Sequence, residues 1–126
     1  MELIIGGAYQ GKRAYAKKRF PQAVWEDGES CTLEGLLAAD GVYHFHVFLD
    51  RQMRAGADVQ GLPELIMEKN PDLVVVSDEV GYGVVPVDAH ERAFREAVGR
   101  VCCQLAKKAD RVHRVVCGIG TVIKDA

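Results

Sequence analysis

At 126 residues the chain has room for one domain built on one hydrophobic core. Hydrophobic residues at 48% and charged residues at 27% exclude intrinsic disorder, and sixteen Lys+Arg against eighteen Asp+Glu exclude polyanion binding by bulk charge. No apolar run approaches the ~20 residues that span a bilayer, so neither a nucleic acid nor a membrane is an expected partner.

In chain order, Leu3-Ile4-Ile5 reads as a buried strand stopped by Gly6 and Gly7, and residues 11–19 read as a basic helix. Ala23-Val24-Trp25 is a weak second strand, and Thr32 to Ala39 a short helix closed by Asp40-Gly41. Residues 42–49, VYHFHVFL, are expected to form a strand, followed by a helix over Leu62–Lys69 with Pro63 tolerated in its first turn. The continuous run Leu73–Val76 predicts a fully buried strand. A Gly-rich connection, DEVGYGVVP, leads to the longest helix, residues 88–109, and Val112–Cys117 is the last strand. Asp88 and Glu91 have capping-box spacing, and Phe94, Ala97, Val98, Val101 and Leu105 share one helical face. This alternation predicts an α/β, three-layer P-loop-type fold, with a mainly parallel sheet of about five strands in a single domain over residues 1–126. A leading Glu2, a short apolar stretch and sparse cysteines (Cys31, Cys102, Cys103, Cys117) resemble neither a secretory leader nor a disulfide scaffold, so a reduced, cytoplasmic protein is expected.

The chemistry concentrates after the first strand, in Gly6-Gly7-Ala8-Tyr9-Gln10-Gly11-Lys12-Arg13. Gly-x-x-x-x-Gly-Lys between a buried strand and a helix is the pattern of a phosphate-binding loop. Its glycines let successive N–H groups surround a phosphate, the helix N-terminus adds a favourable dipole, and Lys12 neutralises β/γ charge. The plain alternative is a Gly-rich turn with a solvated lysine. Position 13 departs from the pattern, because Arg13 stands where a Ser or Thr hydroxyl ligates Mg²⁺. Either Arg13 supplies charge to a phosphate and leaves any metal to acidic groups, or the site keeps anion binding without catalysis, or it keeps neither. Asp50, at the end of VYHFHVFLD, and Ser77-Asp78-Glu79, after LVVV, are the acidic candidates, since carboxylates at the ends of parallel strands flank the ligand crevice. A helix cap for Asp50 and a turn for Asp78 are the plain alternatives.

The stretch VVVSDEVGYGVVPVDAHERAFREAVGRVCCQLAKKADRVHRVVCGIG resembles the C-terminal part of the adenosylcobinamide kinase/adenosylcobinamide-phosphate guanylyltransferase family. Ser77, Glu79, Val80, Gly81, Gly83, Pro86, Phe94, Arg95, Glu96, Gly99, Ala109, Asp110, Val112 and Gly118 carry the match, with GGAYQGK resembling the family's phosphate loop. The resemblance implies ATP or GTP bound at residues 6–13 and transfer of the γ-phosphoryl group to the hydroxyl of adenosylcobinamide. Lys12, Asp50 and Glu79 would be catalytic, and Asp50 and Glu79 would support Mg²⁺. A corrinoid substrate and a homo-oligomer, a trimer in the family, are implied as well. The family's His-Arg segment, whose histidine carries the guanylyl group, has no counterpart before Trp25, so guanylyltransferase activity is expected to be lost. The alternative function is a catalytically inactive, shortened homologue acting as a binding or regulatory module.

The remaining titratable residues have plainer readings. His44 and His46, two apart on the expected strand, would share a face as hydrogen-bonded partners, with metal binding or a nucleophilic role as the alternative. His90 and His113 are expected at the surface, Cys102 as a packed thiol, and Lys12, Arg13, Lys17, Lys18 and Arg19 as a solvated basic face.

Overall fold

The computed structural model describes residues 1–80 and 88–126; Gly81, Gly83 and Pro86 of the expected Gly-rich connection lie outside the described residues. Among the described residues six strands form one sheet: β1 (Glu2–Gly6), β2 (Trp25–Asp27), β3 (Gly41–Tyr43), β4 (Val74–Asp78), β5 (Arg111–Val116) and β6 (Ile119–Asp125). Their order is β2-β3-β4-β1-β5-β6, with every pairing parallel except β5 with β6. Five helices among the described residues connect them: α1 (Lys12–Arg19), α2 (Leu33–Ala38), α3 (Phe45–Arg54), α4 (Leu62–Lys69) and α5 (Ala89–Lys108). The expected three-layer α/β architecture with a mainly parallel sheet is therefore present, extended by one antiparallel edge strand.

Period-2 alternation divides each central strand between two cores. Leu3 and Val75 pack with Leu36, Phe45, Phe48, Leu49, Ile66, Val98, Val101 and Leu105 on one face of the sheet. Ile4, Val74, Val76 and Val115 pack against Ala16 of α1 on the other. Thus β1 sends its following helix to one face, whereas β4 is followed by α5 on the opposite face. Adjacent strands whose connections diverge in this way open a crevice at their C-terminal ends, where doubly wound sheets bind ligands. No helix among the described residues is long and apolar enough to cross a membrane.

Three expectations need correction. Residues 42–49 are not one strand: β3 ends at Tyr43, His44 turns the chain with φ 55°, and α3 begins at Phe45. Phe45, Phe48 and Leu49 are fully buried at i, i+3, i+4 spacing, a helical period masked by aromatic and β-branched composition. Asp50 consequently lies in a helix rather than at a strand end, and the idea that His44 and His46 share a strand face lapses. His113 is fully buried: on β5 it falls on the same face as Val115, toward α1, where it meets Tyr15. The sheet has six strands because Cys117 (φ 51°) and Gly118 (φ 77°) form a two-residue turn of the type that closes hairpins, returning the chain as β6. At the start of α5, Asp88 accepts a hydrogen bond from the His90 N–H at 2.8 Å, while Glu91 faces Arg95 one turn along the helix.

Candidate functional site

The connection from β1 to α1 spans 7–11 and is held at three points. The Gly6 carbonyl accepts the Glu79 N–H at 2.7 Å, tying the end of β1 to the residue that follows β4. Gln10 anchors the far side, its carbonyl accepting the Gly118 N–H and its side-chain oxygen the Cys117 N–H, both at 2.7 Å. Gly11 caps α1 in the left-handed region (φ 84°), and Gly118 backbone lies against it, so a side chain at position 11 would meet both conformational and steric resistance. Tyr9, at φ 60°, is fully exposed at the tip. The first N–H groups of α1 have no partner within the helix and stand at the edge of a cavity of about 360 Å³. That volume lies at the small end of the range for ligand pockets.

Lys12 is a buried group rather than a member of a solvated basic face. Its Nζ donates to the Gly7 carbonyl at 2.7 Å and lies 2.6 Å from Asp78 Oδ1. Asp78 is therefore the carboxylate that the fold brings to the loop. Alternation along β4 explains this: Asp78 follows Val74 and Val76 on the α1 side of the sheet, whereas Glu79 falls beyond the strand and pairs with Arg114 at 3.1 and 3.4 Å. His46, in the first turn of α3, locks Asp78 from the other side. The Asp78 N–H donates to His46 Nδ1 at 3.2 Å, and His46 Nε2 lies 3.3 Å from Asp78 Oδ2. With Nδ1 accepting, the ring proton sits on Nε2 and the imidazole is neutral. Burial pushes the His46 pKa below its ordinary value, and the attraction of Asp78 does not restore it.

Arg13 does not plug the loop. Its guanidinium lies 4.0 Å above the Tyr43 ring and donates to the Tyr43 hydroxyl at 3.0 Å, forming part of the cavity wall. Farther along that wall, His44 Nδ1 is 3.0 Å from Asp27 Oδ1. Burial raises the Asp27 carboxyl, but the Glu29 N–H, His44 and Arg13 together outweigh it and hold the pKa below the usual carboxylate value.

Asp50 and Glu79, the carboxylates that sequence reasoning nominated for Mg²⁺, do not line this cavity. Asp50 faces His90 Nε2 at 2.7 Å and Arg54 Nε at 3.1 Å. Burial raises its pKa, but these two partners bring it below the ordinary carboxylate value. Asp50 and Glu79 thus face partners away from the loop, whereas Asp78, itself paired with Lys12 and His46, is the one of the three that lines the cavity. Cys102 packs against the core, and burial pushes its thiol up to about 11, consistent with an inert packed group. Sequence reasoning left His46 and Tyr43 without a place at the loop. The parity of β4 could have distinguished Asp78 from Glu79, but nothing local could pair His46 with a residue 32 positions away.

Comparison with known proteins adds an independent line. The family model described as cobinamide kinase / cobinamide phosphate guanyltransferase matches residues 27–123. The bifunctional adenosylcobalamin biosynthesis protein CobU of Escherichia coli (strain K12) is 43% identical over 68 residues, covering 54% of this chain and 38% of that protein. Its namesake in Salmonella typhimurium (strain LT2) is 50% identical over 52 residues, covering 41% of this chain and 29% of that protein. The matched region spans well under half the length of either relative.

Proposed function

This chain belongs to the cobinamide kinase / cobinamide phosphate guanyltransferase family, and we propose that its β1–α1 loop binds the phosphates of ATP or GTP for phosphoryl transfer in adenosylcobalamin biosynthesis. One observation carries the reading: buried Lys12 lies between the Gly7 carbonyl and Asp78, at the crevice where the connections of β1 and β4 diverge. An incoming β/γ-phosphate offers Lys12 a more highly charged partner than a carbonyl. The N–H groups of the first turn of α1, which have no acceptor within the helix, supply the remaining donors.

In such a transfer the protein chiefly positions the reactants and neutralises charge. Lys12 bears on the phosphates, and Asp78 takes the part that the sequence suggested for Asp50 and Glu79. Asp78 is the carboxylate that would hold Mg²⁺, which would supply charge neutralisation to the phosphates. His46 keeps Asp78 oriented toward Lys12. The acceptor is the hydroxyl of a corrinoid, and the absence of a His-Arg segment before Trp25 supports a kinase without guanylyl transfer. The apolar residues Ile119, Val122 and Ile123, exposed on edge strand β6, are the surface that a second copy would cover in a homo-oligomer.

Calorimetric titration with ATP and with GTP, each with and without Mg²⁺, tests the loop. Lys12→Ala should weaken binding at least tenfold, since a charge-assisted contact contributes about 1.5–3 kcal/mol. Equal or absent heats in both proteins overturn the reading. Incubation with a γ-labelled nucleotide and cobinamide then tests the transfer. Binding without labelled product favours the alternative of a silent binding module, for which Arg13 in place of a metal-ligating hydroxyl is the specific motive.

A further inference from the structure

We propose that Asp27, Glu29 and His44 form a binding site for a divalent first-row transition-metal ion in the wall of the loop cavity, separate from the Lys12–Asp78 pair. The three residues converge because β2 and β3 run parallel with Asp27 opposite Tyr43, which puts Asp27 and His44 at the same end of neighbouring strands. Glu29 reaches the group across Gly28, where the chain passes so close to the His44 carbonyl that an added Cβ would overlap it. Glu29 and His44 both line the cavity.

The distances suit one coordination sphere. One donor atom from each residue falls within 4.8 Å of the others. His44 Nδ1 is 3.0 Å from Asp27 Oδ1 and 3.7 Å from Glu29 Oε1. Donors bound to one ion at ~2.0–2.2 Å are separated by roughly 3–3.6 Å at octahedral or tetrahedral angles. Only small side-chain rotations are therefore needed to close the set. One imidazole nitrogen with two carboxylate oxygens is a donor set for ions such as Mn²⁺, Co²⁺ or Zn²⁺. Two formal negative charges attract the ion, and Arg13, stacked on neighbouring Tyr43, offsets part of that charge. Three protein donors leave coordination positions open toward the cavity for water or another oxygen ligand.

The test is titration of the whole chain with Mn²⁺ in the absence of nucleotide, followed by electron paramagnetic resonance of free and bound ion. Mn²⁺ is the probe because the four free cysteines compete for softer ions. We expect one bound Mn²⁺ per chain with an imidazole-nitrogen coupling in the spin-echo spectrum. Glu29→Gln changes an exposed side chain and leaves the fold intact; it should weaken binding at least tenfold. His44→Gln should remove the nitrogen coupling, while Asp50→Asn, a carboxylate outside the cavity, should leave Mn²⁺ affinity within about threefold. An absence of bound ion in the unaltered chain overturns the proposal. So does binding that persists unchanged in Glu29→Gln and His44→Gln, or that disappears in Asp50→Asn. Because no nucleotide is present, these results are independent of whether the loop binds one.

Discussion

Helix α3 carries two pairings of histidine with aspartate that share a chemistry and differ in consequence. In its first turn, His46 meets Asp78 with both ring nitrogens, one of them accepting a backbone N–H, and its side chain is only 13% exposed. One turn later Asp50 meets His90, each side chain nearly 30% exposed, with Arg54 as a second partner. Water can replace most of what the second pair provides, whereas losing His46 leaves the Asp78 N–H without its acceptor. The lesson is that charge complementarity alone does not identify a site; burial and a backbone contact make one pairing rigid enough to orient a carboxylate.

The most disruptive way to break the contrast is to remove the anchor common to both pairs. Phe48→Ala deletes a fully buried ring midway between His46 and Asp50 and should cost about 3–5 kcal/mol in denaturant unfolding. His46→Ala should cost about 1–3 kcal/mol, because an amide is left unsatisfied. His90→Ala should stay within about 1 kcal/mol. An equal cost for the two histidine variants would dissolve the distinction between the pairs.

Acidity sharpens the same contrast. The folded chain holds the His46 pKa below its ordinary 6.5, so below about pH 6.5 the unfolded chain binds a proton that the folded one resists. The contribution of His46 is therefore complete above pH 6.5 and declines as pH falls toward the depressed folded value. Chemical denaturation at pH 7.5 and 5.5 should show this loss, and His46→Gln should reduce the slope. Asp50 works in the same sense in a more acidic window: its lowered pKa adds stability that is present above about pH 3.8 and lost as pH falls through the folded value. The smallest effect expected is that of Asp50→Asn, a stability change within about 1 kcal/mol at neutral pH with nucleotide affinity unaltered.

Much of this architecture was readable before any coordinates. Continuous apolar runs marked β1 and β4, Pro63 and the apolar spacing marked α4, and Asp88 marked the start of α5. Two segments misled. VYHFHVFL has the composition of a strand, yet its apolar side chains fall at helical spacing once His44 turns the chain. The hairpin to β6 is closed by Cys117-Gly118 in place of the Asn-Gly or Asp-Gly that signals such a turn most clearly.

The order of residues by itself determined the glycine-framed loop, the lysine that follows it and the alternation that builds a covered parallel sheet, because backbone freedom and hydrophobic period are local properties. Which acid faces that lysine was decided by tertiary structure alone. Asp78 and Glu79 are adjacent and chemically alike, and strand parity, the burial of His46 and the opposite courses of the chain after β1 and β4 turn only Asp78 toward Lys12.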